Sequence, residues 1–256
     1  MENVEQAPAA SVVVARDLNA GDLKAALAAG SRDFLACPIY GMAISAIYVI
    51  SGLAILYALM SHGEVVWLVP AAACFPLLAP FTAVSIYEVS RRREASIPVT
   101  WGAVLTALRG RGDDQILGMG VIVFVIFAFW VMLAHAIFYM FLSSAGMTTE
   151  SLAFFATNSG LVMLLVGGAV GGAMALAFYA ISVMSLPMLI DRDVDLITAM
   201  IASMTCVKAN PGVMLGWAVL IAVTLTIAAL PVFVGLLFVL PCLGHASWHL
   251  YRRAIS

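Results

Sequence analysis

Charge is what this sequence has least of. Its 256 residues include 12 Lys or Arg and 14 Asp or Glu, against 64% hydrophobic residues. A soluble domain carries roughly 25% charged residues. The 10% found here cannot cover so apolar a chain with polar surface, which excludes a water-soluble globular protein. The bilayer must be the solvent for most of it. A net charge of -2 leaves no bulk basicity for a nucleic acid. Cysteine is also scarce. Cys37, Cys74, Cys206 and Cys242 are scattered and form no CxxC, which argues against a disulfide framework or zinc module and for small apolar packing residues. No phosphate loop, nucleophile elbow or sustained acid–base pair is present, so neither an enzyme nor a bound cofactor is expected. Glu2 and Glu5 stand where a secretory signal would be basic. Residues 1 to about 20 read as a mobile cytosolic tail, followed by a single domain over residues 21–256.

What the sequence has in abundance is apolar runs. A spanning helix needs about 20 apolar residues. Six candidates meet that requirement, at about residues 39–60, 65–89, 116–142, 161–189, 212–229 and 232–250. The last two come from one stretch between Lys208 and Arg252 that lacks Asp, Glu, Lys and Arg, and Pro231 marks the turn between them. The fold class expected is therefore an all-α membrane protein with six transmembrane helices. The loops after the first, third and fifth helices carry no Lys or Arg. All 12 basic residues fall on the other side. The positive-inside rule makes that side cytoplasmic, which puts both termini inside a bacterial inner membrane.

An internal repeat underlies this order. "DLKAALAAGSRDFLACPIYGM" from Asp22 parallels "DLITAMIASMTCVKANPGVML" from Asp195, each reaching a proline, Pro38 or Pro211, before entering a span. "TWGAVLTALRGRGDDQILGMG" from Thr100 is a weaker third copy. Asp22, Thr100 and Asp195 read as N-caps of short amphipathic helices at the inner membrane surface. The second span of each pair carries prolines in its inner half: Pro76 and Pro80, Pro187, and Pro241. Three copies of a surface helix plus a helical hairpin suggest a pseudo-threefold bundle, with chance similarity between apolar sequences as the alternative.

Few residues stand out chemically. His245 and His249 in "GHASWHLYRR" share one helix face. At 1.5 Å per residue they lie about 20 Å and about 26 Å into the last span. There they read as interfacial anchors beside Trp248 and Tyr251, with metal or haem ligation as the alternative. His135 lies near the opposite face, about 29 Å along its helix, so it cannot share a metal or haem with that pair. Glu88 reads as the ion-pair partner of Arg91. Arg91, Arg92 and Arg93 with Asp191, Arg192, Asp193 and Asp195 form a cytoplasmic charge cluster. In "GGAVGGAMALA", Gly167 with Gly171 and Gly168 with Gly172 make overlapping GxxxG steps. Such steps suit close helix packing, either within the bundle or against a partner protein.

"FPLLAPFTAVSIYEVSRRRE", "MLIDRDVDLITAMIASMTCVKANPGVMLGWAVL" and "VLPCLGHASWHLYRRAI" resemble a bacterial group of integral membrane proteins, domain-of-unknown-function family 2189, from about Leu35 onward. Some of its members are provisionally labelled as a cytochrome c oxidase subunit. The resemblance implies no catalytic residues. It suits a non-catalytic accessory or assembly component of a membrane complex such as a respiratory oxidase. The alternatives are a small-solute transporter or channel built on the proline-broken helices, and a haem- or metal-binding membrane protein using His245 and His249.

Overall fold

The structure, a computed structural model, describes residues 12–63, 82–107, 115–144 and 152–256. The described chain is helical, apart from loops and one isolated antiparallel bridge between Val14 and Ile255. Helices α1 (Ala20–Ala36) and α2 (Pro38–Ser61) are followed by α3 over residues 82–94. Next come α4 (Trp101–Thr106), α5 (Gln115–Ser144) and a 3-10 turn at Leu152–Ala156. The chain finishes with α6 (Asn158–Ser182), α7 (Ser185–Asp191), α8 (Leu196–Ala209), α9 (Pro211–Ala229) and α10 (Leu236–Ala254).

Among the described residues, four helical stretches are long and apolar enough to cross a membrane: Pro38–Ser61, Gln115–Ser144, Asn158–Asp191 and Pro211–Ala229. They coincide with the first, third, fourth and fifth expected spans. The second, 65–89, lies outside the described residues except for the part in α3, and Pro76 and Pro80 lie outside them too. The sixth, 232–250, is helical from Leu236 but is not among the four. Its lack of charge reflects burial in protein as much as in lipid, because Gly244, His245 and Ser247 are all buried.

Helix starts follow from residue chemistry. Pro38 and Pro211 occupy the first turns of α2 and α9, where a missing N–H costs nothing. One residue joins each span to the preceding amphipathic helix. Cys37 (φ -136°, ψ 52°) and Asn210 (φ -131°, ψ 54°) take nearly the same conformation. Thr100 caps α4 and Asp195 caps α8 through their side chains. Asp22 is not the cap of α1. Asn19 accepts from Gly21 N, and Asp22 reaches back to the Asn19 N–H to complete a capping box.

The prolines differ in effect. Pro187 cannot donate to the carbonyl of Val183, and the helix breaks at Val183–Met184, between α6 and α7. Ser203 of α8 covers the break, accepting from Met184 N (3.1 Å) and donating to Ala180 O (2.7 Å). Pro241 sits inside a continuous α10.

Packing centres on α10, which lies most extensively against α1 and then α2. Close approach there depends on single glycines. A Cβ on Gly30 would collide with the Ala246 backbone, and one on Gly41 would meet Pro241. Gly244 in turn admits Ile86 of α3. Of the expected tail, residues 1–11 lie outside the described residues, and the segment from residue 12 is tied to the fold. Val13 and Ala15 pair with the backbone of Ser256 and Ala254, while Asn210 takes the Leu18 N–H and gives to Ala15 O.

Gly30→Val is expected to lower stability by about 1–3 kcal/mol by forcing α1 off α10. Gly168→Val, which meets nothing among the described residues, should leave it unchanged. Thermal unfolding in detergent compares the two.

Candidate functional site

The last two turns of α10 gather the carboxylates of four other segments. Helices favour cations near their C-termini, and Arg252 and Arg253 occupy that position. Arg253 binds Asp17, ahead of α1, and Asp22 of α1 (3.0 and 3.1 Å). Arg252 binds Glu94 of α3 and Asp191 of α7, both at 3.0 Å. Trp248 Nε1 donates to Glu94 (2.9 Å), and the Tyr251 hydroxyl donates to Asp191 (2.8 Å). Trp248 and Tyr251 are therefore not a lipid-facing belt. Both are fully buried, with their polar atoms turned to carboxylates.

Deeper in the bundle lies a second, smaller cluster around Asp33. On α1 the buried positions Ala26, Gly30, Asp33 and Phe34 form one stripe, so helical spacing drives a carboxylate into the α1–α3–α10 junction. Three donors meet it there: Ser90 Oγ (2.7 Å) and Arg93 Nε (2.9 Å) from α3, and His249 Nε2 (2.8 Å) from α10. Burial alone would raise the Asp33 pKa. The bonds from His249, Ser90 and Arg93 outweigh that and hold the carboxyl well below the ordinary carboxylate range. Arg93 also reaches Cys37 Sγ at 3.7 Å.

His245 completes the cluster. Its Nδ1 lies 2.7 Å from Ser90 Oγ. Serine has one proton, and when that proton goes to Asp33, the imidazole must donate its Nδ1–H to Ser90. His245 is fully buried, and its Nε2 has no hydrogen-bond partner among the described residues. The pair spaced four residues apart thus does share a face, and both histidines report to Asp33, one directly and one through Ser90. Both are committed to these bonds rather than to the membrane surface. Among the described residues, no group of three or more His, Cys, Asp or Glu is arranged to hold a metal ion.

The other expected site residues separate. Glu88 pairs with Arg91 as expected, through two bonds of 2.7 Å, and takes Arg92 as well (2.6 Å). Arg192 reaches Ile255 O (3.3 Å), Asp193 is exposed, and Asp195 is spent on the α8 cap. Of the four glycines, Gly171 packs under the Trp130 ring. Gly167, Gly168 and Gly172 meet nothing among the described residues. Sequence reasoning missed Asp33, Ser90, Glu94 and Asp17. The signal available was the position of Asp33 on an otherwise apolar helical stripe.

A cavity of about 1100 Å³ lies between α2, α3, α6, α9 and α10. Its walls are apolar, with Tyr87, Tyr179, Ser182 and Ser247 supplying hydroxyls.

Asp33→Asn should cost about 3 kcal/mol near neutral pH, since it leaves Arg93 without its counter-ion and weakens the bonds from His249 and Ser90. The folded pKa of Asp33 is depressed, so its contribution is present above the unfolded value of about 3.9 and is lost as pH falls through the lower folded value. Thermal midpoints of wild type and variant should therefore differ at pH 7, and the difference should begin to shrink only below about pH 4.

No curated protein and no solved structure matches the chain. A family model does, over residues 68–191, described as "Predicted integral membrane protein (DUF2189)". It takes in the first of the three stretches that carry the resemblance and ends four residues into the second. With apolar helices at hand to span a bilayer, this chain is an integral membrane protein that carries the DUF2189 region over residues 68–191.

Proposed function

We propose that this protein is a non-enzymatic, six-helix component of a bacterial inner-membrane complex, with both termini cytoplasmic, acting through contacts with another membrane protein. The observation that carries this reading is the open small-residue face of α6. The α6–α7 stretch is the least buried of the four candidate spans. Gly168 and Gly172, and beside them Ala169, Ala173 and Ala177, repeat at intervals of four on its exposed side. Lipid offers no hydrophobic drive for helix association, so close backbone approach over small residues is the usual means of pairing. Among the described residues Gly171 packs against Trp130 and Gly172 lines the cavity, while Gly167 and Gly168 meet nothing. A partner helix therefore has a surface on which to lie. The respiratory version of this reading rests on the family label alone.

The cavity favours a second reading, a small-solute transporter. Its hydroxyls at Ser182 and Tyr179 lie beside the helix break before Pro187, where the backbone departs from regular helix.

Affinity purification of the tagged protein from native membranes in mild detergent decides between them. Stoichiometric membrane subunits should accompany wild type and be lost from Gly168→Ile, with thermal stability retained. If wild type emerges alone, the accessory reading fails and solute-uptake assays take its place.

A further inference from the structure

The described cations fall into two groups. Arg91, Arg92, Arg93, Arg192, Arg252 and Arg253 are each ion-paired within the bundle. Arg16, Lys24, Arg32 and Lys208 are exposed and have no hydrogen bond or ion pair among the described residues. Three members of this second group, Arg16, Arg32 and Lys208, have a definite position, and Lys24 stands farther back on the outer stripe of α1. Arg32 lies five residues before Cys37, the joint at which α1 becomes the span α2. Lys208 lies two residues before Asn210, the equivalent joint between α8 and α9. Asn210 also holds the backbone at Ala15 and Leu18, which ties the segment bearing Arg16 to this second joint.

Each joint is also where an amphipathic helix meets a helix apolar enough to cross the bilayer, and so marks the level of the lipid headgroups. Apolar side chains stand exposed beside the cations. Leu35 (74% exposed) and Ile39 (63%) follow Arg32, and Ile201 (59%) shares the outer face of α8 with Lys208. On α1 the outer stripe Lys24, Ala28, Arg32 and Leu35 lies opposite the buried one that carries Asp33.

We propose that these two joints bind anionic phospholipid, with Arg32 at the first and Arg16 with Lys208 at the second holding the headgroup phosphates. Acyl chains lie along Leu35 and Ile39 at the first joint and along Ile201 at the second. The charge is complementary, and the cations are not spent elsewhere. A lipid covers the neighbouring apolar side chains, which a soluble acidic protein would leave in water. The same chemistry explains why the paired and unpaired cations divide as they do. The fold neutralises the cations that gather on α3, α7 and the end of α10 and leaves to the membrane those at the two joints.

The test is native mass spectrometry of the full chain in detergent, titrated with phosphatidylglycerol or with phosphatidylcholine of the same acyl chains. Wild type should retain phosphatidylglycerol on the order of tenfold better at low salt, with the preference shrinking as salt is raised. Arg16→Gln/Arg32→Gln/Lys208→Gln should bring the two lipids to parity. Because these side chains make no internal bonds, the thermal midpoint in phosphatidylcholine should stay put. Arg192→Gln, at an ion-paired cation, should keep the preference. Parity in wild type overturns the proposal, as does a preference that survives the triple variant. So does an acidic protein that co-purifies with wild type, is lost from the triple variant, and leaves lipid preference at parity.

Discussion

The carboxylate of Asp33 is the interaction on which the interior depends. It is buried where α1, α3 and α10 meet, and it takes donors from both other helices at once. A buried carboxylate is tolerable only when its charge and lone pairs are answered. Ser90, Arg93 and His249 answer them, and their positions follow from it. Arg93 is drawn to α1 and away from Glu88, which keeps Arg91 and Arg92. His245 is fixed by the oxygen of Ser90, and α10 is held in register by two histidines one turn apart. The glycines at the same crossing are the steric counterpart. Gly30 and Gly41 let α1 and α2 come close enough to α10 for these short bonds to form.

The outer ring of charge around this cluster has a different character. Glu94–Arg252 is a half-exposed pair worth under about 1 kcal/mol, and Arg253–Asp17 is more exposed still. Their value is collective. Asp17, Asp22, Glu94 and Asp191 reach α10 from different segments, so the end of this one helix orders the whole charged end of the bundle. The Val14–Ile255 bridge closes the same end over the backbone. The cavity lies alongside, between α2, α3, α6, α9 and α10, with mostly apolar walls. Polar bonding organises the charged end, and apolar packing, which is less specific, leaves room for the cavity.

The sequence made legible whatever is decided within one or two turns. Prolines at 38 and 211 start spans, Thr100 and Asp195 cap helices, Glu88 pairs with Arg91, and apolar length locates four spanning stretches. Capping already shows the limit. Asp22 and Asn19 both have cap chemistry, and only the reciprocal bond to the Asn19 N–H tells them apart. What lies between helices was not legible. An uncharged stretch signals burial without saying whether lipid or protein does the burying, and much of α10 is buried by protein. The carboxylate on the inner stripe of α1 belongs to no motif, and the partners of the two histidines lie more than 150 positions away in the chain.

The glycines carry the same lesson further. GxxxG spacing says that close approach is permitted, not that it occurs. Within the chain the tight crossings use isolated glycines at positions 30, 41 and 244, each facing a specific obstacle: the Ala246 backbone, the Pro241 ring or the Ile86 side chain. The conspicuous run at 167–172 meets an obstacle at Gly171 alone among the described residues. A helix interior that accepts glycine gives up about 1 kcal/mol per residue relative to alanine. Gly172 lines the cavity, and at Gly167 and Gly168 nothing among the described residues answers that cost. That is the physical reason for proposing α6 as a contact surface.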